Sequence, residues 1–323
     1  MNKCNLPDSC NNSELRETHI SWVILTDNYA FKIKRPVKYT FLDFSSLEKR
    51  KFFCHEEMKL NKRVEPDMYL SVLPITENLV IKESGNGNVI IDYTVKMKRM
   101  DQQKEMDEML ENDEVSETHI NALAKKVAEF HKSADIVKNA FGTLEFQENY
   151  ADIENQGDYI LNVLGKEYKE IIDKCIEKSF NYLNASRSYS NERVISGFQR
   201  DCHGDLNVRN IFLYDDPVIF DCIEFNSDFR QIDVLNDIAF LCVDLDFYGK
   251  EDYSEMFYKK YLKYSGLNDD PKMRELFLYY KSYRANVRAK VTVISAKQMN
   301  ENENEKEVND AKKFIDLMAK YMR

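Results

Sequence analysis

Glycine and proline are scarce, nine and six of 323 residues, which excludes collagen-like, linker-rich and low-complexity architectures. No apolar run approaches the roughly 18 residues that a membrane-spanning helix needs. Residues Met1–Ser13 (MNKCNLPDSCNNS) are too polar for a secretory signal, so neither a membrane nor export is expected. The seven cysteines are odd in number, scattered, and form no C-x-x-C pair. That pattern argues against disulfide frameworks and structural zinc, and for a reduced, cytoplasmic protein. Cys202, His203 and Cys222 could meet around a metal, but buried thiols acting as small hydrophobes beside strands are the simpler reading. An excess of basic charge is also missing. With 46 Lys+Arg against 56 Asp+Glu and a net charge of −10, the surface does not suit a general nucleic-acid binder.

What is present is a globular composition, 43% hydrophobic and 32% charged, long enough for one large domain or two lobes. Apolar and alternating stretches predict strands at 20–25 and 29–33, joined by Thr26-Asp27-Asn28. Ser45-x-x-Glu48 reads as a capping box opening a helix through Leu60. Further strands are expected at 69–75, 79–82 and 89–97, the last entered through a Gly85–Asn88 hairpin turn. The order β-β-α-β-β-β describes a small antiparallel sheet with one helix. From Asp101 the periodicity becomes helical, over 116–131, 158–183, 251–264 and the last residues of the chain. The composition shift places a lobe boundary near residue 100, giving lobes 1–100 and 101–323. One interruption, Ile211–Tyr214 and Val218–Asp221 around Asp215-Asp216-Pro217, reads as a hairpin.

The chemistry concentrates beside that hairpin. His203-Gly-Asp205-Leu-Asn-Val-Arg-Asn210 fits H-x-D-x-x-x-x-N. Phosphoryl transfer needs a carboxylate to orient a hydroxyl and take its proton, and oxygen ligands for magnesium. Asp205 can supply the first; Asn210 can supply the second, together with Asp221, which the hairpin returns to the neighbourhood of Asn210. The same chemistry uses a cation on a rigid strand. Tyr29-Ala-Phe-Lys32 has the V-A-I-K form, with Lys34 as a rival on the same strand face. A carboxylate on the following helix would hold that lysine, Glu57 or its neighbour Glu56.

Lys32, Asp205, Asn210 and Asp221 in this order resemble the kinase fold. HGDLNVRN is similar to the HGDLHxxN signature of aminoglycoside phosphotransferases and choline kinases. Four stretches, KIKRPVKYTFLDFSSLEKR, RDCHGDLNVRNIFL, FDCIEFNSDFRQIDVLNDIAFL and YRANVRAKV, resemble the bacterial aminoglycoside-phosphotransferase-like group over most of residues 15–295. The P-loop G-x-x-x-x-G-K-[ST] of the module fused to some members does not occur in these residues. The resemblance implies an α+β, two-lobed protein-kinase-like fold, with a small antiparallel-sheet N-lobe that binds nucleotide and a mainly helical C-lobe that carries catalysis and the acceptor. It implies ATP and Mg2+ as cofactors and a small-molecule hydroxyl acceptor as partner, with neither nucleic acid nor membrane. Asp205 then corresponds to the catalytic base, Asn210 and Asp221 to the magnesium ligands, and Lys32 with Glu57 to the phosphate-holding pair. His203 corresponds to a loop-bracing histidine, and Asp237 to an aspartate that hydrogen-bonds the catalytic-loop backbone. Adenine would lie against the hinge after Val95, with backbone contacts from Met97–Met100, including Lys98 and Met100.

The departures are specific. No G-x-G-x-x-G stands over the phosphates, Asn207 replaces a common histidine, and Asp221-Cys-Ile-Glu224 replaces Asp-Phe-Gly. Glu224 is either a further metal or water contact or a buried structural acid. Acidic residues over 101–117 would suit a cationic acceptor, or are a solvated face. Arg284 and Arg288, four apart on one helix, would suit an anionic acceptor or pair internally with Asp or Glu. A catalytically silent nucleotide-binding regulator and a protein kinase are the competing readings.

Overall fold

Strand-forming residues and one capped helix build the N-terminal part. The structure is a computed structural model and describes residues 7–8, 13–39, 41–82, 88–139, 141–299 and 304–322. In chain order the strands are β1 Glu14–Glu17, β2 Ser21–Leu25, β3 Tyr29–Lys34, β4 Tyr69–Thr76, β5 Ile90–Lys98, β6 Gln199–Asp201, β7 Ile211–Phe212, β8 Val218–Ile219 and β9 Gln231–Asp233. The helices are α1 Leu47–Asn61, α2 Met106–Glu111, α3 Glu117–Ser133, α4 Thr143–Ala151, α5 Gly157–Tyr159, α6 Lys166–Ile195, α7 Val234–Phe247, α8 Glu251–Ser265, α9 Pro271–Gln298 and α10 Glu305–Tyr321. Two units result. The first comprises Met1–Asn112, His203–Asp205 and Arg209–Arg230; the second comprises Asp113–Cys202, Leu206–Val208 and Gln231–Arg323.

In the first unit the sheet is antiparallel with order β1-β2-β3-β5-β4. Strand β1 escapes the expected pattern because its residues, ELRE, are polar and mostly exposed on a sheet edge. The turn from β1 into β2 is Thr18–Ile20, where the N–H groups of Ile20 and Ser21 donate to the Thr18 hydroxyl, and Thr26-Asp27-Asn28 joins β2 to β3 as expected. The expected strand at 79–82 reduces to one bridge, Ile75 to Ile81, beside Leu79 at φ +57°. The expected Gly85–Asn88 turn lies largely outside the described residues. The N-cap of α1 is Ser46, not Ser45, whose N–H and hydroxyl both go to Asp43 instead. Under the sheet, Leu25, Ala30, Cys54, Val95 and Met97 pack with Phe212 of the β7–β8 hairpin.

The second unit is helical. Buried residues of α6, α7, α9 and α10 join one apolar cluster that includes Val243, Ala289, Val293, Phe314 and Ile315. The helix expected over 158–183 is broken at Gly165, whose φ of +107° ends a π-helical turn and starts α6. No helix of the described residues is long and apolar enough to cross a membrane.

Candidate active site

Strand β3 sets the site by alternation: Lys32 and Lys34 are two apart and lie on one face. Both reach Glu57 of α1, which is fully buried. Lys32 Nζ lies 2.9 Å from Oε1 and Lys34 Nζ lies 2.7 Å from Oε2 of that carboxylate. The open choice between the lysines thus resolves into two roles, because each ammonium has a further acid. Lys32 pairs with Asp221, and Lys34 with Glu224. Lys34 is fully buried, its ammonium 4.8 Å from the ring centre of Phe44, whereas Asp221 keeps 35% of its side chain exposed. Glu56, the other candidate acid, instead pairs with Lys59 on the helix surface.

Burial alone would discharge both lysines, but the carboxylates beside them outweigh it. Lys32 is held well above its usual pKa by Asp221 and Glu57, and Lys34 is raised by Glu224 and Glu57. Burial likewise acts to raise Glu57, yet the two ammonium groups bring it down to about 2. Three carboxylates face two ammonium groups, and the surplus falls on Glu224, whose pKa is raised by its burial and by Glu57 despite Lys34.

The strand-end segment 221–224 is tied down residue by residue. Asp221 sits at φ +65°, and its N–H donates to the buried Tyr69 hydroxyl at 3.1 Å. The Cys222 N–H donates to Asn61 Oδ1 at 2.9 Å, and the Ile223 N–H to the His203 carbonyl at 3.1 Å. Glu65 accepts the Ile219 N–H at 3.0 Å. The loop 203–205 is braced in the same way. His203 Nε2 donates to the Phe220 carbonyl at 2.9 Å while Nδ1 accepts the Asp205 N–H at 3.3 Å, which selects the neutral Nε2–H tautomer. Gly204 is at φ +86°, and a Cβ there would stand 2.8 Å from the Phe229 carbonyl oxygen. Only glycine fits that approach without strain.

Asn210 Nδ2 donates to both the carbonyl and the Oδ2 of Asp205, at 2.9 Å each. The β7–β8 hairpin pairs Ile211 with Ile219, and the Phe220 N–H donates to the Asn210 carbonyl at 3.0 Å. The strands are shorter than expected, yet they return the chain as the sequence suggested. Lys32, Asp205, Asp221 and Glu224 line one cavity of about 220 Å3, walled by Ile20, Ile223 and Phe225. The carboxylates of Asp205 and Asp221 and the Asn210 amide oxygen are hard donors, the set that magnesium prefers over softer metals.

Other expected residues lie elsewhere. Lys98 and Met100 do not line this cavity; the N–H groups of Lys98 and Arg99 donate to the carbonyls of Met68 and Asn28. Asp237 is fully buried in the second unit, where its Oδ2 meets His131 Nε2 at 2.9 Å. The backbone N–H of Val208 reaches Asp244, at 3.3 Å. Sequence reasoning missed Asp244, and its position in the apolar run of α7 was the available signal. Arg288 pairs with that same Asp244 at 3.0 Å, and Arg284 donates to Asn236, so both arginines have internal partners. In the acidic stretch Glu105 pairs with Arg16 and Asp107 with Arg209. Among the described residues, the one group of three His, Cys, Asp or Glu ligand atoms gathered closely is His131, Cys202 and Asp237. There the His131 nitrogens contact the Tyr261 hydroxyl and Asp237, a hydrogen-bonded core network. The five described cysteines are buried and free.

No family model matches the chain. Uncharacterized proteins of Mycobacterium tuberculosis and Mycobacterium bovis are 28% identical over 293 residues, covering 88% of this chain and 55% of theirs. The chain thus spans about half the length of the curated relatives it matches. Among solved structures, the GDP complex of an aminoglycoside 2'-phosphotransferase-IIIa superposes with a TM-score of 0.54 at 14% identity, over 97% of this chain and 93% of that one. A choline kinase from Cryptosporidium parvum gives 0.55 at 12% identity, over 96% and 88%. The chain has the two-lobed, kinase-like α+β fold of aminoglycoside phosphotransferases and choline kinases. A choline/ethanolamine kinase family protein from Mesorhizobium loti shares this phosphotransferase fold, at a TM-score of 0.53 and 13% identity over 97% and 92%.

Proposed function

We propose that this chain transfers the γ-phosphoryl group of ATP to a hydroxyl of a small molecule, in the cytoplasm and without a nucleic-acid or membrane partner. The observation that carries the reading is the meeting of Lys32, Asp205 and Asp221 on one cavity, with Asn210 bonded to Asp205. A phosphoryl-transfer site needs little beyond these groups, because catalysis is positioning and charge stabilisation.

Asp205 accepts the proton of the acceptor hydroxyl as its oxygen attacks the γ-phosphorus. One O–P bond forms, and the bond to the β,γ-bridging oxygen breaks, its electron pair leaving with ADP. Asn210 holds the Asp205 carboxylate for this task. The Lys32 ammonium, steered by Glu57, takes the phosphate oxygens. Asp221 and the Asn210 amide oxygen would hold Mg2+, which neutralises phosphate charge when bound. His203 keeps the loop in register through its two ring nitrogens. As the resemblance implies, the backbone around Lys98 and Met100 would take the adenine, and Asp237 would hydrogen-bond the catalytic-loop backbone.

Radiolabelled γ-phosphate transfer across a panel of hydroxyl compounds tests the reading. Wild type should label at least one acceptor, and Asp205→Asn should lose about 10²–10⁴-fold in turnover, roughly 3–5 kcal/mol of transition-state stabilisation. An Asp205→Asn variant with wild-type turnover on that acceptor would refute the assignment.

A further inference from the structure

Phosphate binding as proposed uses one lysine and one acid, Lys32 and Glu57, yet a second lysine and a second acid are buried against them. Lys34 is fully buried, and Glu224 keeps 4% of its side chain exposed. Apolar residues of similar volume often take the place of a buried ion pair with little or no loss of stability, so stability alone does not account for a charged pair here. Hydrogen-bond geometry separates the two lysines. Lys34 Nζ donates to Glu57 Oε2 at 2.7 Å and also to Glu224 Oε1, and its ammonium lies over the ring of Phe44. Lys32 donates to Asp221. Its 2.9 Å approach to Glu57 Oε1 is an ion pair, and among the described residues that oxygen accepts no hydrogen bond.

A hydrogen bond is directional, whereas an ion pair depends mainly on distance. The direction of the Glu57 carboxylate is therefore set by Lys34, and Lys34 is in turn held by Glu224. The backbone completes the circuit. Asp221 and Glu224 are three residues apart, and between them the N–H groups of Cys222 and Ile223 are held by Asn61 and His203. Asp221, Lys32, Glu57, Lys34 and Glu224 thus form a ring closed by the chain itself, in which a shift of one member is felt by the next.

We propose that Lys34 and Glu224 are positioning residues for phosphoryl transfer: they aim the Glu57 carboxylate, which places the Lys32 ammonium beside Asp221 to meet the phosphates. The proposal rests on the phosphotransfer reading and adds to it two residues that touch no reacting atom. Without Lys34, Glu57 turns both oxygens toward Lys32 and draws it away from Asp221. With an uncharged side chain at 224, Lys34 leans on Glu57 alone and weakens the hold of that carboxylate on Lys32. A displacement of about 1 Å at a reacting site costs on the order of 100-fold in rate, so a small turn of Glu57 is enough to matter.

The test compares wild type, Lys34→Met/Glu224→Leu and Glu224→Gln. Thermal unfolding reads folding, and transfer of radiolabelled γ-phosphate to the acceptor that wild type labels reads activity. The double variant should fold with near wild-type stability and still lose about 10- to 100-fold in kcat, with the acceptor KM unchanged. Glu224→Gln keeps the volume and an acceptor for Lys34, so its kcat should fall less, about 3- to 10-fold. A stably folded double variant with wild-type kcat overturns the proposal, as does a loss confined to the acceptor KM. If only Glu224→Gln folds, wild-type kcat in that variant overturns it equally. Crystal structures of wild type and of whichever variant folds, without nucleotide, read the same claim apart from activity. Lys32 parted from Asp221 in the variant supports the proposal, and unchanged Asp221–Lys32–Glu57 contacts overturn it. If wild type labels no acceptor, the phosphotransfer reading fails, and this crystal comparison alone decides whether Lys34 and Glu224 position Lys32.

Discussion

Replacing Lys34 by methionine removes from a fully buried position an ammonium that pairs with both Glu57 and Glu224. Glu57 keeps Lys32 as a partner at 2.9 Å, so most of the penalty falls on Glu224. Breaking a buried ion pair on one side costs about 3–5 kcal/mol, whereas replacing both partners with well-packed apolar residues is often close to neutral. Lys34→Met should therefore lower the free energy of unfolding by about 3–5 kcal/mol, and Lys34→Met/Glu224→Leu should recover most of that loss. The raised pKa of Glu224 adds a signature. A carboxyl whose folded-state pKa exceeds its unfolded value favours folding in its protonated form, so the Lys34→Met deficit should shrink as the pH falls toward the ordinary glutamate range. Urea unfolding at a series of pH values, with the denaturant slope checked for constancy, reads all three effects. A single substitution costing less than about 1 kcal/mol, or a double variant no more stable than the single, would refute the reasoning.

Three further outcomes are expected. Gly204→Ala should destabilise the fold by about 1–3 kcal/mol in the same unfolding assay, because φ +86° and the Phe229 carbonyl both oppose a side chain. Glu57, lowered from 4.5 to about 2 by the two lysines, contributes stability above pH 4.5 that is lost as the pH falls toward 2. The stability gap between wild type and Glu57→Gln should accordingly narrow by about 3 kcal/mol over that window, and parallel acid-unfolding curves would contradict this. His203→Ala removes both the Phe220 and the Asp205 contacts, so it should lower kcat with little change in the KM for ATP, measured by ADP release.

Much of this was legible from residue types and spacing. Four of the sheet's strands, at 20–25, 29–33, 69–75 and 89–97, the position of α1 and the return of Asp221 toward Asn210 follow from alternation, periodicity and a turn. Asp205 and Asn210 are named by their motif, while Lys32 and Glu57 stand beside the rivals Lys34 and Glu56. The rest depends on contacts distant in sequence. Period-two alternation put Lys34 beside Lys32, but only the fold brings Glu224 to it, 190 residues later. Strand β1 has no apolar pattern because an edge strand on the surface needs none. Adjacent serines could both cap α1, and Asp43 decided the matter by capturing Ser45. Asp244 interrupts the apolar run of α7, and only its contacts with the Val208 N–H and Arg288 give it a role.

The most direct measurement is calorimetric titration of ATP, with and without Mg2+, into wild type and Asp221→Asn. Wild type should bind ATP more tightly with Mg2+, and Asp221→Asn should lose that difference while still binding the nucleotide. Equal ATP affinity with and without the metal in wild type, or an undiminished metal effect in Asp221→Asn, would contradict the assignment of this carboxylate.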